Sequence, residues 1–281
     1  MKFDSYSAYD PSVTSQSLPA FLTVWPGLSL FHKDLVLIEG LVPLCICKHP
    51  IGGDILPRHV TMDVDFGIAL GASSALYGTI ATDLSGMGFR LKDPSKARYV
   101  TNSKGHELFI DFLVESTGDN PGTMMVDDII ASGLPGIQRA LDTARHVTLE
   151  GQDLFGGNQQ TTARVCEVGP FLALKLRAFG SRQQGKDAFD ILYTLKHYDR
   201  GFDAALEGFA TEVDAGNPAC PDALKALRDN FASEQAPGPT RAAHFLLGAP
   251  YRNGSKDEQL KRTLLKQEMV NTASALRNAA Q

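Results

Sequence analysis

The sequence predicts an α+β fold, in which a mixed sheet with flanking helices is followed by an all-helical C-terminal domain. In the first half, several runs alternate between apolar and polar side chains, which is the pattern of half-buried strands. From Gly169 onward, apolar side chains recur at helical spacing and the connections are short. The change from strand-like alternation to helical spacing lies near 160–168, so we predict an α/β domain at 1–165 and a helical domain at 166–281.

The first elements follow from local patterns. Residues 1–17 are polar and predict a loose arm. The apolar run at 18–31 predicts a short helix, interrupted at Pro26-Gly27 because proline lacks a backbone N–H. A continuous apolar run at 34–40 that ends in glycine predicts a buried strand, and 41–49 predicts the helix after it.

The elements that follow are mostly strands. A loop rich in Gly and Pro precedes a run of strict alternation, and Ser-Lys-Gly between two apolar runs indicates a hairpin. The predicted elements are a loop at 49–59, a strand at 60–70, a helix capped by Ser73 or Ser74, hairpin strands at 97–102 and 106–115, and strands at 145–150 and 161–168.

The C-terminal half is expected to contain only helices. Their apolar side chains recur three and four positions apart, and Gly, Pro or Asn separates most of them. The predicted helices are at 170–181, 186–198, 202–213, 220–232, 241–247 and from about Lys256 onward.

The composition is that of an ordinary globular chain, with 43% hydrophobic and 21% charged residues. The net charge of -5 argues against a surface coated in basic residues for nucleic acid, although it leaves room for a local basic patch. We find no signal-peptide order at the N-terminus and no apolar run long enough to span a bilayer, and expect a cytoplasmic protein without membrane contact. The cysteines lack zinc-ligand spacing and are expected to be buried reduced thiols: Cys45, Cys47, Cys166 and Cys220.

Two aspartates, Asp63 and Asp65, lie two positions apart in the strand predicted at 60–70. Side chains two apart on a strand point to the same face, so these carboxylates are neighbours. Two like charges are costly to bury together unless a cation joins them, and Mg²⁺ prefers carboxylate oxygens. A solvated strand face and the acidic pair of a sugar-nucleotide glycosyltransferase are alternatives that this spacing leaves open.

A third aspartate, Asp111, interrupts an apolar run at 108–114. A lone carboxylate in so apolar a strand needs a cation or a hydrogen-bonding partner. If this strand lies beside the strand at 60–70, Asp111 completes a three-carboxylate cluster with Asp63 and Asp65. Such a cluster can hold metal ions and activate a hydroxyl for attack on a phosphate.

A second charged pattern lies on two consecutive helices of the C-terminal half. Its basic members, Lys175 and Arg182, are seven apart and share roughly one helix face, whereas Asp187 and Asp190 are three apart on the next helix. Ordinary surface salt bridges are one interpretation of this pattern. The full spacing is Lys-x2-Ala-x3-Arg-x3-Lys-Asp-x2-Asp, formed by Lys175, Ala178, Arg182, Lys186, Asp187 and Asp190.

The Thr-x-Asp-x-Asp strand from Thr61, the later Asp111 and this helical motif together resemble the AbiEii-type nucleotidyltransferases, a family of the DNA polymerase β-like superfamily. The resemblance covers roughly residues 35–198 and implies a nucleotidyltransferase-like sheet domain before the helical domain. It implies a Mg²⁺-dependent enzyme that moves a nucleoside monophosphate from a nucleoside triphosphate to an acceptor, with a tRNA 3′ end as one expected acceptor. Many members are toxins of type IV toxin–antitoxin systems, so a cognate antitoxin is an expected partner.

The resemblance also implies roles for individual residues. The implied metal ligands are the three strand carboxylates, Asp63, Asp65 and Asp111. The last of these is also the candidate base for the acceptor hydroxyl. Lys175 resembles the residue that holds nucleotide phosphates, Asp187 resembles a catalytic acidic residue that faces the site, and Asp190 resembles one that orders the helix pair. The implied nucleotide-binding residues are Gly40, Thr61, Lys175, Arg182, Lys186 and Asp190.

The turn after the first strand differs from the family pattern, which has Gly-Gly or Gly-Ser there. This chain has Glu39-Gly40-Leu41, so one small residue is kept and a negative charge is added where phosphates are expected. The Gly52-Gly53 pair nearby lies after the predicted helix. The alternative function is therefore a catalytically impaired nucleotidyltransferase-fold protein that binds nucleotide, RNA or a protein. Transfer to a small molecule or to a protein is a third hypothesis.

Two further features have both a structural and a functional interpretation. Arg58 and His59 precede the aspartate strand and are candidates for substrate contact, although a structural role is the more common one for such residues. The helix from Lys256 is rich in basic side chains, and it presents either a solvated face or a surface for an RNA backbone.

Overall fold

The computed structural model describes residues 3–48, 56–69, 79–93, 97–116, 122–126, 128–250 and 255–281. The chain divides into two compact units. The sheet unit comprises Pro11–Cys45 and Thr61–Glu167, and the helical unit comprises Met1–Asp10, Ile46–Val60 and Val168–Gln281. Two early segments thus belong with the C-terminal helices, although both precede 165. Within the described ranges, none of the helices is both long and apolar enough to cross a membrane.

The sheet unit is built from short strands and short helices. Its strands are β1 (Leu35–Ile38), β2 (Asp63–Ile68), β3 (Arg90–Asp93), β4 (Arg98–Ser103), β5 (His106–Glu115), β6 (Thr123–Val126), β7 (Ile129–Leu134), β8 (Arg145–Gln152) and β9 (Asn158–Val165). Its helices are α1 (Pro11–Thr14), α2 (Ser17–Gly27), α3 (Val42–Ile46, at the boundary of the unit), α4 (Ile80–Gly86) and α5 (Ile137–Asp142), with 3-10 turns at Ser29–Phe31 and Glu39–Leu41.

The strands form one mixed sheet in the order β3-β4-β5-β2-β1-β9-β8. The C-terminal end of β5 also pairs with β7, which in turn pairs with β6. β2 and β5 are parallel neighbours, whereas β1 pairs with β2 and β4 pairs with β5 in the antiparallel sense. This mixed sheet with flanking helices confirms the predicted α+β class.

One face of the sheet packs against α2 and forms the core of the sheet unit. Phe66 on β2 lies 5.9 Å from Phe21 and 6.1 Å from Trp25, measured between ring centroids, and Phe112 on β5 lies 5.8 Å from Phe66. These rings are fully buried. Because side chains alternate along a strand, burial of Phe66 and Phe112 sends the aspartates beside them to the opposite face.

Helix α5 covers part of that opposite face. A Cβ on Gly67 would lie 2.8 Å from Val36 and 3.2 Å from Ile137, so only glycine permits this close approach of helix and strand. The carboxylate of Glu115, at the end of β5, accepts hydrogen bonds from the first N–H groups of α5 and anchors the helix there. Glu115 lies four residues beyond Asp111, the cross-strand partner of Asp65, at the C-terminal end of β5.

The helical unit contains the elements that the apolar spacing predicts. Glycines let α6 and α8 approach closely, since a Cβ on Gly169 would lie 2.3 Å from the carbonyl oxygen of Gly208. The last helix begins with a capping box formed by Ser255 and Glu258. The helices are α6 (Val168–Arg182), α7 (Gly185–His197), α8 (Phe202–Asp214), α9 (Cys220–Asn230), α10 (Pro237–Leu247) and α11 (Lys256–Ala279), with a 3-10 turn at Tyr6–Ala8.

The loose arm predicted at 1–17 is wrong. Tyr6 packs on Phe189 and Phe245 at centroid distances of 6.1 Å each, and Tyr9 packs on Phe245 at 5.9 Å. These aromatic contacts within the helical unit order a segment whose polar composition alone gives no sign of them. Farther along the same segment, Pro11–Thr14 form α1 and Ser17 begins α2.

Other boundaries also differ from the prediction. α3 ends at Ile46, earlier than the helix predicted at 41–49. The sequence patterns did not predict β3, β6, β7 or α5, which are all between four and six residues long. The predicted start of a helix at Ser73 or Ser74 and the Gly52-Gly53 pair lie outside the described residues.

Candidate functional site

The predicted carboxylates of the sheet unit lie on adjacent strands. In the parallel pairing of β2 with β5, Asp65 is the cross-strand partner of Asp111, and Asp63 is the partner of Phe109. Asp63 and Asp65 share one face because they are two residues apart. Neighbouring strands are about 4.8 Å apart, so the register places three carboxylates side by side on this face.

An arginine that the sequence analysis did not single out completes this group. Arg98 on β4 is the cross-strand partner of Asp111. Its Nε donates to Asp111 Oδ1 at 2.9 Å and its second terminal nitrogen donates to Oδ2 at 2.5 Å, which is a bidentate ion pair. The same terminal nitrogen lies 3.9 Å from Asp63 Oδ2. The guanidinium also lies 4.8 Å from the centroid of the Phe109 ring, in cation–π contact.

The register of the hairpin between β4 and β5 determines the position of Arg98. Lys104 and Gly105 form a two-residue turn, so Ser103 pairs with His106 and the register then runs back along both strands. Five residues beyond the Ser103–His106 pair on each strand, this register brings Arg98 opposite Asp111. The prediction had Ser103 in the turn, which would place Ile110 opposite Arg98, so the register of the structure was needed to identify the partner of Asp111.

Burial and charge act against each other at Asp111. Burial raises the pKa of Asp111, the Arg98 guanidinium lowers it, and the carboxylate of Asp63 raises it again. The hydrogen bonds to Asp111 raise the pKa of Arg98 further above its usual range, so this side chain stays a cation. Arg98 therefore acts electrostatically on more than one carboxylate of this group.

The donor chemistry of the cluster suits a hard divalent cation, since carboxylate oxygens are the protein ligands that Mg²⁺ prefers. The guanidinium of Arg98 is a stand-in cation at this position, because it lies between Asp111 and Asp63. In the part of the chain that the structure describes, no three His, Cys, Asp or Glu side chains converge closely enough to hold a metal ion. The carboxylates fit the ion in type and in strand position, and Asp111 is turned to Arg98 instead.

The turn after β1 lies beside the first aspartate of β2. A Cβ on Gly40 would lie 2.4 Å from Thr61 Oγ1, and that hydroxyl donates to the carbonyl of Asp63 at 3.4 Å. Glycine is therefore required at 40 by the contact with Thr61. Glu39 has a φ of 58°, in the left-handed region that favours glycine, so the turn keeps a glycine-like backbone at a position that is not glycine.

The charged motif of the helical unit forms a buried network. Lys175 Nζ lies 3.1 Å from Asp190 Oδ2 and 3.6 Å from Asp187 Oδ1. Lys186 Nζ donates to both oxygens of Asp190 at 2.9 and 2.8 Å. Both lysines are at most 3% exposed and both aspartates are 0% exposed. The network therefore connects α6 to α7 inside the unit, since Lys175 belongs to α6 and the other three residues to α7.

Arg182 is the exposed member of the motif. Its Nε donates to Asp187 Oδ2 at 2.6 Å and a terminal nitrogen donates to Oδ1 at 2.8 Å. The side chain of Arg182 is nevertheless 40% exposed, whereas that of Asp187 is fully buried. One end of the network thus reaches the surface through the arginine.

His59 belongs to this network. Its Nε2 lies 2.9 Å from Asp190 Oδ1, and because a carboxylate only accepts, Nε2 is the donor. Its Nδ1 is buried and has no hydrogen-bond partner among the described residues. Burial lowers the pKa of His59 to about 4, with Lys186 and Lys175 acting in the same direction and Asp190 opposing. Although burial opposes it, the charge of Lys186 and Lys175 holds the pKa of Asp190 well below its usual range. The network therefore consists of two lysines, Arg182 and two carboxylates, with a neutral imidazole hydrogen-bonded to Asp190.

The basic C-terminal helix has a structural contact of its own. Arg262 on α11 donates to the carbonyls of Ala243, Leu247 and Gly248, at the C-terminal end of α10. This contact satisfies carbonyls that the end of a helix leaves without partners. At least one basic side chain of the helix thus holds the helical unit together.

The cysteines are free thiols, of which Cys166 and Cys220 are buried and Cys45 and Cys47 are partly exposed.

The structure brings together the predicted site residues in two groups, each within its own unit. Asp63, Asp65 and Asp111 lie on one face of the sheet, with Gly40 and Thr61 beside the first of them. The motif from Lys175 to Asp190 forms the buried network with His59. Comparison with protein-family models gives no match, and comparison with curated proteins gives none either. The likeness to the AbiEii-type nucleotidyltransferases rests on the residues and spacings set out above.

Proposed function

We propose that the protein is a Mg²⁺-dependent nucleotidyltransferase with a nucleotidyltransferase-like fold, which moves a nucleoside monophosphate from a nucleoside triphosphate to an acceptor. The observation that carries the proposal is the register of β2 on β5, which makes Asp65 the neighbour of Asp111 and leaves Asp63 two residues along the same face. Two carboxylates on one strand and a third on the next are a suitable donor set for Mg²⁺.

In this proposal Asp63 and Asp65 hold the ion, together with Asp111. When bound, Mg²⁺ stabilises the negative charge that develops on the phosphate. Asp111 accepts the proton of the acceptor hydroxyl, and burial, which raises the pKa of Asp111, makes it a better proton acceptor. Gly40 and Thr61 shape the turn next to Asp63, and we assign the phosphate oxygens to this turn.

In the helical unit, Arg182 is the motif residue that is suited to bind a phosphate group, because its side chain is 40% exposed. Lys175 and Lys186 are buried against the aspartates, so we assign them, with Asp190, to holding α6 on α7. Asp187 orients the guanidinium of Arg182 through two hydrogen bonds. Within this unit, the motif therefore mainly positions one arginine.

The biological role that we propose follows from the resemblance. The acceptor is a tRNA 3′ end, and the activity arrests growth unless a cognate antitoxin is present. Expression of the wild-type chain should arrest a bacterial culture, whereas Asp63→Asn, at equal protein level, should not. A culture that grows equally well with both would argue against the toxin role without bearing on the chemistry.

The direct test of the reaction is label transfer. Purified protein is incubated with each of the four α-labelled nucleoside triphosphates, Mg²⁺ and total RNA, and the label is followed in RNA, in protein and in small molecules. We expect transfer into RNA by the wild type and none by Asp63→Asn. Asp142→Asn is the matched control, because Asp142 is exposed on α5 in the same unit and should retain activity. Activity of Asp63→Asn equal to that of the wild type would refute the assigned role.

A binding protein without transfer activity is the second candidate function. It is favoured by Asp111, which is engaged by Arg98, and by Glu39, which places a carboxylate in the turn where phosphates are expected. Metal-dependent binding of a labelled nucleoside triphosphate, with no label in RNA, protein or small molecules, would select this function. Label in protein or in a small molecule would instead keep the enzyme and change its acceptor.

A further inference from the structure

We propose that Arg98 is a built-in counter-cation, which occupies the cation position of the carboxylate cluster and is displaced when a divalent ion binds. The inference rests on the proposed function in one respect, because it concerns the same three carboxylates. It adds Arg98, which is not part of the Thr-x-Asp-x-Asp strand, to that site. It also predicts that Arg98, although not a metal ligand, sets the affinity of the site for a divalent ion.

The position of Arg98 carries the argument. Its guanidinium makes two hydrogen bonds to Asp111 and lies 3.9 Å from Asp63, so it bridges two of the three carboxylates. A divalent ion shared by the same carboxylates needs the oxygens that the guanidinium now holds. Two cations at this distance also repel each other, so the ion and the paired arginine exclude each other.

The cluster explains why a counter-cation is needed before the ion arrives. The side chains of Asp111 and Asp63 are only 16% and 13% exposed, and a third carboxylate lies beside them. Like charges that are close together and shielded from water destabilise a fold unless a cation is present. Arg98 supplies that cation from the neighbouring strand, and it allows the sheet to fold before the metal binds.

The arginine is also able to leave. Its side chain is 23% exposed, more than either carboxylate, and β4 lies one strand from the edge of the sheet. Released from Asp111, the guanidinium reaches water without crossing the core. Asp111 then keeps a cationic partner, because the ion takes the place of the arginine.

The test measures metal affinity without nucleotide. Mn²⁺ is titrated into the full-length protein, and the unbound ion is quantified by electron paramagnetic resonance. Arg98→Gln removes the competing charge and should bind Mn²⁺ at least about tenfold more tightly than the wild type. Arg98→Lys keeps the charge but loses the bidentate geometry and should give an intermediate affinity. Arg90→Gln is the matched control, because it removes an exposed arginine from the next strand and should change the affinity less than about twofold.

Two more variants locate the effect. Asp63→Asn in the Arg98→Gln background should abolish the gain, since the tighter site needs the carboxylate. If Arg98→Gln does not fold, as judged by circular dichroism, the comparison of Arg98→Lys with the wild type decides the question. Equal or weaker Mn²⁺ binding in the folded arginine variants would overturn the inference, because Arg98 would then be a permanent structural partner of Asp111.

The outcome is separate from that of the label-transfer assay. A gain in Mn²⁺ affinity without any nucleotide transfer would keep the displaced arginine and reject the enzymatic function. Nucleotide transfer by the wild type, with the same Mn²⁺ affinity in all arginine variants, would support the enzymatic function and reject the displaced arginine.

Discussion

Acid should destabilise the protein through His59, which is buried in the network of the helical unit. Burial lowers the pKa of His59 from 6.5 to about 4 in the folded state. Between these values the unfolded chain binds a proton that the folded protein does not, so the free energy of unfolding rises with pH. The part of the free energy of unfolding that depends on a neutral His59 is fully present above pH 6.5 and is lost as the pH falls toward 4.

The magnitude follows from the two pKa values. A difference of about 2.5 pKa units corresponds to about 3.4 kcal/mol, of which about 2.5 kcal/mol is lost by pH 4.5. Asp190 does not contribute in this window, because its pKa lies well below its usual value. The main physical cause is burial, because a protonated His59 would be a charge shielded from water, and the positive charges of Lys186 and Lys175 act in the same direction.

The assay is urea unfolding at pH 7.5 and pH 4.5 for the wild type and His59→Gln. Glutamine does not titrate, so the wild type should lose about 2.5 kcal/mol more than the variant between the two pH values. His146→Gln is the control, because His146 is exposed on β8, and its pH dependence should follow the wild type. An equal loss in the wild type and His59→Gln would refute the buried neutral histidine.

Three further substitutions test single contacts by the free energy of unfolding or the melting temperature. Asp190→Asn leaves buried lysines without this carboxylate and should lower the free energy of unfolding in urea by about 3–5 kcal/mol. Asp229→Asn is the control, because it removes one partner of an exposed ion pair on α9, and it should leave the midpoint of urea unfolding unchanged. Glu39→Gly relieves the left-handed backbone and should stabilise the sheet unit by about 1 kcal/mol, and a lower melting temperature would contradict this assignment. Gly40→Ala should lower the melting temperature because its Cβ meets Thr61 Oγ1 at 2.4 Å, and Thr61→Ala in the same chain should restore part of the loss; no restoration would place the clash elsewhere.

The sequence predicts those parts of the fold in which a periodic pattern is long. The helices from α6 to α11 were predicted because their apolar spacing extends over many turns. The missed elements β3, β6, β7 and α5 have at most six residues, which is too few for a period to be distinct. The N-terminal segment was misjudged because its order comes from aromatic contacts with distant residues, such as Tyr6 with Phe245.

The candidate site shows the same division. Asp63 and Asp65 share a face by local geometry, which a strand of any sequence obeys. The pairing of Asp65 with Asp111 depends on which strands are neighbours. Local sequence pattern does not show this, so the cluster could be predicted only on the condition that the two strands are adjacent. His59 precedes Asp190 by more than a hundred residues, so no spacing rule links them, and the structural role that the sequence allowed for His59 came without a partner.

The most direct test of nucleotidyl transfer compares α-labelled with γ-labelled nucleoside triphosphates. We expect the wild-type protein with Mg²⁺ to transfer the α-label to the acceptor and to leave the γ-label in released pyrophosphate. The Asp63→Asn variant should neither transfer the α-label nor release pyrophosphate. Transfer of the γ-label would indicate phosphoryl transfer, and transfer of neither label to RNA, protein or small molecules would contradict nucleotidyl transfer altogether.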